Sequence, residues 1–195
     1  MAKPLSNRPV RRTNRVSNPA AGILRRAKDI RLLAMDVDGV LTRGEVIVLE
    51  SGEEVKAWNA KDRLALALLR KKNISLVIAW ITGRQSNAVT RSAKDVGIDH
   101  LVQNCGDTKK ALEEILHSHH LQWNQVAFIG DDLIDLPVLL RAGLACCPAD
   151  AVPEVVAHSH YISPFRGGEG TVRDVLELIL KAQNQWSSLV QSILH

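Results

Sequence analysis

Five short, mostly apolar runs separated by helical periodicities constrain this chain more than any other feature; they lie at 31–35, 74–81, 100–103, 126–129 and 144–147. Runs of this length without polar alternation read as strands buried on both faces, which is the habit of a parallel sheet. Between them, Asp62 reads as the N-cap of a helix over Leu64–Lys72, with Leu64, Leu68 and Leu69 as its apolar stripe. Ser86–Val96 reads as a helix closed by Gly97, and Asp107 caps a helix carrying Ala111, Leu112, Ile115 and Leu116 on one face. Leu136–Ala142 and Val172–Ala182 complete the helical set. One segment departs from this rhythm: Glu45–Leu49 and Glu54–Trp58 flank Glu50-Ser51-Gly52-Glu53, which predicts a β-hairpin. The βαβα order predicts an α/β domain over 29–183, a Rossmann-like parallel sheet with helices on both faces, followed by a tail or helix over 184–195.

In such a sheet the carboxyl ends of the strands line one crevice. The first run delivers Asp36 and Asp38 there, and Gly39 lets the backbone turn away. No nearby lysine in the sequence pairs with these two carboxylates, so together they call for a cation. The second run ends at Thr82 and Arg84, and the fourth at Gly130-Asp131-Asp132. Carboxylates gathered without His or Cys suit a hard ion, and Mg²⁺ is the natural choice. A hydroxyl and a guanidinium at the neighbouring strand end suit phosphate oxygens. The pattern therefore reads as a phosphoryl-transfer site in which one aspartate attacks and another moves a proton.

Composition narrows the setting. A chain of 195 residues with 46% hydrophobic content suits one domain with a sizeable core. No apolar run approaches the roughly 18 residues of a membrane span, and no signal-peptide core follows the start. Cys105, Cys146 and Cys147 lack metal-ligand spacing and read as reduced, buried thiols of a cytoplasmic protein. Residues 1–28 carry eight basic side chains and no acidic one, leaving 17 basic against 21 acidic groups in the remainder. That arm, with Pro4, Pro9 and Pro19, is expected to be a disordered, solvated tail rather than a contact for nucleic acid or membrane. His117, His119 and His120 cannot share one helix face and read as surface residues; the four tryptophans are scattered and read as packing.

DVDGVLT (36–42), Ile-Thr-Gly-Arg (81–84) and GDDLID (130–135) together resemble the motifs of the haloacid dehalogenase-type phosphatase superfamily. GDDLIDLPV (130–138), GGEGTVRDV (167–175) and a hairpin in place of a cap domain narrow the resemblance to its cap-less branch, typified by 3-deoxy-D-manno-octulosonate 8-phosphate phosphatase. The resemblance implies that Asp36 attacks phosphorus and that Asp38 serves as acid and then base. It also implies Mg²⁺ held by Asp36, the carbonyl of Asp38, and Asp131, with Asp132 and Asp135 in support. By the same resemblance Thr82 and a third-motif lysine would act in catalysis, and Asp38, Asn59, Lys61, Asp62, Arg84 and Arg91 would meet the substrate, a phosphorylated sugar acid. The branch further implies a homotetramer in which hairpins close neighbouring sites, and a role in lipopolysaccharide precursor synthesis. Four departures stand out. The third-motif lysine position falls on Thr108, so Lys109 is its expected replacement; Arg63 and Ala65 stand where glycines belong; Arg91-Ser92 keeps one of two arginines; Glu169 stands where the branch commonly has Arg. These support, as the alternative, a silent relative acting as a binding subunit, or a phosphatase for another sugar phosphate.

Overall fold

The computed structural model describes residues 20–72 and 74–194. Its elements are α1 (Ala21–Lys28), β1 (Leu32–Met35), β2 (Ile47–Val48), β3 (Glu54–Val55), α2 (Ala60–Lys71), β4 (Val77–Ile81), α3 (Asn87–Val96) and β5 (His100–Val102). They continue as α4 (Thr108–Ser118), β6 (Val126–Ile129), α5 (Leu136–Leu139), β7 (Leu144–Cys147), α6 (Pro153–His158), β8 (Tyr161–Ile162), α7 (Thr171–Ala182) and α8 (Trp186–Leu194). One parallel sheet runs in the order β5-β4-β1-β6-β7-β8, and β2 pairs antiparallel with β3 as a separate hairpin. β1 is central and buried throughout, registering Leu33 with Ile78 on one side and with Ala127 on the other.

Alternation along the strands divides the core into two layers. Leu33, Met35, Ile78, Trp80, Ala127 and Ile129 pack with residues of α1, α2, α3 and α7. Leu32, Ala34, Ala79, Ile81, Val126 and Phe128 pack with α4, α5 and α6. Strands covered on both faces have no place for polar residues until they end, so the chemistry-bearing side chains collect at the strand termini. Trp80 is fully buried and stacks on Trp58 with ring centroids 5.7 Å apart; Cys146 and Cys147 are buried free thiols, whereas Cys105, expected to be buried, is half-buried.

The expected elements of the sheet are present, and the differences have local causes. A sixth strand, β8, extends the sheet beyond β7, and α6 precedes it. Residues 21–28, expected to be part of a disordered arm, form α1, which packs Ala27 and Ile23 against the core and is tied down by Arg26 Nη1 donating to the Gly143 carbonyl at 2.9 Å; residues 1–19 lie outside the described part. Helix α2 starts at Ala60 rather than Leu64, since Asn59 provides the cap by accepting from the Lys61 amide at 2.9 Å. The buried stripe is then Ala65, Leu66 and Leu69, while Leu64 faces solvent. Helix α5 covers only Leu136–Leu139 of the expected 136–142, and the tail after 183 contains α8. No helix among the described residues is long and apolar enough to cross a membrane.

Candidate active site

The site begins where β1 ends. Asp36 donates its amide to the Ile129 carbonyl at 3.0 Å, continuing the sheet for one residue, and then the chain turns at Gly39 with φ +92°. That turn has no room for a side chain: a Cβ on Gly39 would lie 2.0 Å from Asp131 Oδ2. The loop after β6 and the loop after β1 therefore touch. A third loop closes on them, because a Cβ on Gly167 would lie 1.8 Å from the Gly39 carbonyl oxygen. Gly168 donates to Val40 O at 2.9 Å and accepts from Asn59 Nδ2 at 3.2 Å.

Within this knot, one carboxylate oxygen each of Asp36, Asp131 and Asp135 lies within 4.8 Å of the others. Burial is the largest cause raising all three carboxyl groups, with mutual repulsion added for Asp36 and Asp131. Asp36 is pushed up to about 8, Asp131 to about 7 and Asp135 to about 6. Asp135 is held in place by accepting from the Asp131 amide at 3.0 Å and the Asp132 amide at 3.4 Å. Asp131 Oδ1 is buried without a hydrogen-bond partner. An all-oxygen donor set with an orphaned buried oxygen fits a hard divalent cation such as Mg²⁺.

This electrostatic strain has a measurable sign. Carboxylates whose pKa is higher folded than unfolded add stability below their unfolded value, near 3.8, and lose it as pH rises through about 6, 7 and 8. Metal-free protein is therefore expected to melt lower at pH 8 than at about pH 5, and Mg²⁺ to raise the melting temperature more at the higher pH. Equal gains at both pH values would remove these aspartates from the ion's binding set.

Asp38 behaves differently. Its Oδ1 pairs with Lys56 Nζ and accepts from Thr42 Oγ1 at 3.4 Å. This corrects the expectation that no lysine neutralises the pair; Lys56, 18 positions along, is brought there by the hairpin. The Asp38 side chain lies outside the acidic triad. Lys56 also lies 3.4 Å from Glu54 Oε2, and the other Glu54 oxygen pairs with Arg84. Sequence reading missed Lys56 and Glu54; their sign was the two charges at i and i+2 on the returning arm of the hairpin.

Thr82 is buried at the end of β4, and its Oγ1 accepts from the Arg84 amide at 3.3 Å. Arg84 and Arg91 are both exposed, and Arg91 lines a cleft of about 550 Å³ between the hairpin and α3, together with Glu54, Gln85 and Asn87. Lys109 occupies the second position of α4 and is half-buried. Lys61 is exposed in the first turn of α2.

Asp62 needs correction, and Asn59 is already engaged within the fold. Asp62 is 1% exposed and accepts from the Arg173 amide at 2.7 Å, with burial pushing its carboxyl up to about 6. It caps α7 from across the fold instead of capping α2 or presenting itself to substrate. Asn59 uses its oxygen for its own helix and its amide for Gly168. Arg63 turns away to Ser92 and Asp95, at 2.5 and 3.5 Å. Glu169 is not an uncompensated negative charge, for Arg43 Nε lies 3.2 Å from its Oε1. Of the three histidines expected on a helix, only His117 lies in α4, which ends at Ser118; His119 follows as its C-cap and meets His100 at 2.7 Å, His120 turns away with φ +54°, and all three are exposed.

Comparison with known proteins agrees with this geometry. A model of the haloacid dehalogenase-like hydrolases matches residues 104–173. The chain is 42% identical over 166 residues to the 3-deoxy-D-manno-octulosonate 8-phosphate phosphatase KdsC of Yersinia pestis, covering 85% of this chain and 88% of that protein. The Escherichia coli K12 protein of the same name is 37% identical, with 85% and 87% coverage. Among solved structures, the Moraxella catarrhalis phosphatase, in complex with magnesium, phosphate and KDO, superposes with a TM-score of 0.84 at 39% identity, covering 88% of this chain and 97% of that one. The Yersinia pestis phosphatase structure gives 0.82 at 40%, with 86% and 89% coverage. With its six-stranded parallel sheet, its acidic strand-end triad and these relatives along most of its length, the chain belongs to the KdsC-type phosphatases of the haloacid dehalogenase-like hydrolase family.

Proposed function

We propose that this protein hydrolyses 3-deoxy-D-manno-octulosonate 8-phosphate to 3-deoxy-D-manno-octulosonate and inorganic phosphate, as a cytoplasmic step of lipopolysaccharide precursor synthesis. The observation that carries the reading is the division of labour at the end of β1. Asp36 belongs to a cluster that calls for a cation, whereas Asp38, two residues on, is held by Lys56 outside it. The names of the relatives and the KDO-bound neighbour support the substrate.

Asp36, Asp131, Asp135 and the Asp38 carbonyl are the groups that would hold Mg²⁺. When bound, the ion supplies neutralising charge for the phosphoryl group and the acidic cluster. Asp36 attacks phosphorus as the bond to the sugar oxygen breaks, and Asp38 gives that oxygen a proton. Asp38 then takes a proton from water as the water oxygen bonds phosphorus and Asp36 is released. Thr82 and Arg84 stand at the next strand end as donors for phosphoryl oxygens, and Lys109 adds charge from the start of α4. Arg91 and Lys61 are exposed cations available to the sugar acid, with Arg43 beside Glu169 at the rim.

The hairpin exposes Val46, Ile47, Val48, Leu49 and Val55, each more than 40% accessible. Apolar side chains exposed on both faces of the hairpin support assembly, and we expect a homotetramer in which hairpin tips meet neighbouring subunits. Light scattering after size exclusion checks this, and a fully active monomer would contradict it. Phosphate release from a panel of phosphorylated sugars and sugar acids, with Mg²⁺ or with chelator, tests the substrate. The 8-phosphate should give the highest kcat/KM, dependent on Mg²⁺. Preference for the phosphate of a sugar that lacks a carboxylate would keep the phosphatase and overturn the substrate.

A further inference from the structure

Lys56 has an unusual setting for a lysine. Its side chain is 1% exposed, and an ammonium so buried persists only when its charge is answered. Asp38 Oδ1 answers it directly and Glu54 Oε2 at 3.4 Å shares it, while Arg84 fixes the far side of Glu54. Thr42 Oγ1 stands 3.4 Å from the same Asp38 oxygen. Asp38 Oδ2, by contrast, is buried and meets no hydrogen-bond partner among the described residues. The Thr42 hydroxyl lies equally 3.4 Å from the Val37 carbonyl, so Lys56 is the firm anchor and Thr42 the weaker one; the two oxygens of one carboxylate are thus unequal, one anchored and the other without a partner among the described residues.

We propose that Lys56 is a positioning residue of the phosphatase reaction, anchoring Asp38 Oδ1 with Thr42 so that Oδ2 is the oxygen that exchanges protons. The inference deepens the proposed function and rests on Asp38 being its acid and base. In the first half-reaction the Oδ2–H bond breaks as the sugar oxygen gains that proton and its bond to phosphorus is lost. In the second, Oδ2 takes a proton from the water whose oxygen bonds phosphorus as the bond to Asp36 breaks. Lys56 keeps its protons throughout. Its contribution is to deny the carboxylate other rotamers, and misplacing a reacting group by about 1 Å costs on the order of 10²-fold. Because Lys56 follows β3, the base of the hairpin completes the chain's own site, whichever neighbour its tip meets.

Two other roles make different predictions. A lysine that grips substrate affects KM, whereas one that merely holds the hairpin affects stability and slows every substrate alike. The test uses full-length Lys56→Met and Lys56→Arg with Mg²⁺ and two leaving groups: the alcohol of whichever sugar phosphate the wild type turns over, and p-nitrophenolate, which departs without a proton. Lys56→Met is expected to lower kcat for the sugar phosphate by roughly 10²-fold with KM unchanged. The first-turnover burst of p-nitrophenolate should keep its wild-type rate, and Lys56→Arg should regain part of the lost kcat. A raised KM at constant kcat, or a p-nitrophenolate burst slowed as much as sugar phosphate turnover, would overturn the proposal. Should Lys56→Met fail to fold, Thr42→Val tests the second anchor, with a smaller loss and the same dependence on leaving group; no such dependence would overturn it. Because the sugar phosphate is taken from what the wild type accepts, a wrong substrate assignment fails separately.

Discussion

Asp36→Asn is expected to lower kcat by roughly 10⁴-fold or more, since an amide cannot form the acyl-phosphate. The same substitution should raise the melting temperature of metal-free protein near pH 8. Burial and the neighbouring carboxylates push Asp36 up to about 8, so an uncharged amide removes a source of repulsion. Loss of activity with gain of stability separates a chemical role from a structural one. Residual turnover above about one hundredth of wild type, with deamidation excluded by peptide mass, would remove Asp36 as the nucleophile.

The second large effect is expected at Lys109. Thr108, Lys109 and Lys110 fill the first turn of α4, and Asp107 Oδ1 accepts from the Lys110 amide at 2.9 Å. Lys109 is half-buried and Lys110 is exposed, so of the two cations Lys109 is the one drawn toward the fold. A bound phosphoryl group brings about two negative charges beside Asp36. The helix start adds its positive dipole end, and a lysine there stabilises the charge that builds during transfer. Lys109→Ala should therefore lower kcat by about 10²-fold or more, with Lys110→Ala nearly silent. Steady-state kinetics on both variants checks this. Small and equal losses would mean that neither stands in for the third-motif lysine, whose position holds Thr108.

What was legible in the sequence follows from what holds each part. β1, β4 and β6 are covered on both faces, so their composition alone announced them, and the acidic and hydroxyl residues at their ends marked the crevice. β8 was invisible because Tyr161–Ile162 offers two residues, half of them exposed, and gains its place by pairing with β7. Asp62 misled because a carboxylate near a helix start has the same local pattern whichever helix it caps; the one it serves begins 109 residues later, at Thr171. Lys56 was hidden for a related reason. Its partner Asp38 lies across a hairpin, and pairing over 18 positions is fixed by the turn and not by spacing. Arg43 and Glu169 show the same limit: Glu169 alone read as a lost positive charge, but the fold places a guanidinium beside it.

In the proposed reaction a carboxylate at the end of β1 carries the phosphoryl group between substrate and water. Acid quench during turnover, borohydride reduction and peptide mapping test it most directly, because an aspartyl-phosphate is reduced to homoserine. Homoserine is predicted at position 36 in the wild type, at no other aspartate, and not at all without substrate. Steady turnover with Asp36 recovered unmodified, or homoserine at Asp38 or Asp131 instead, would contradict the account.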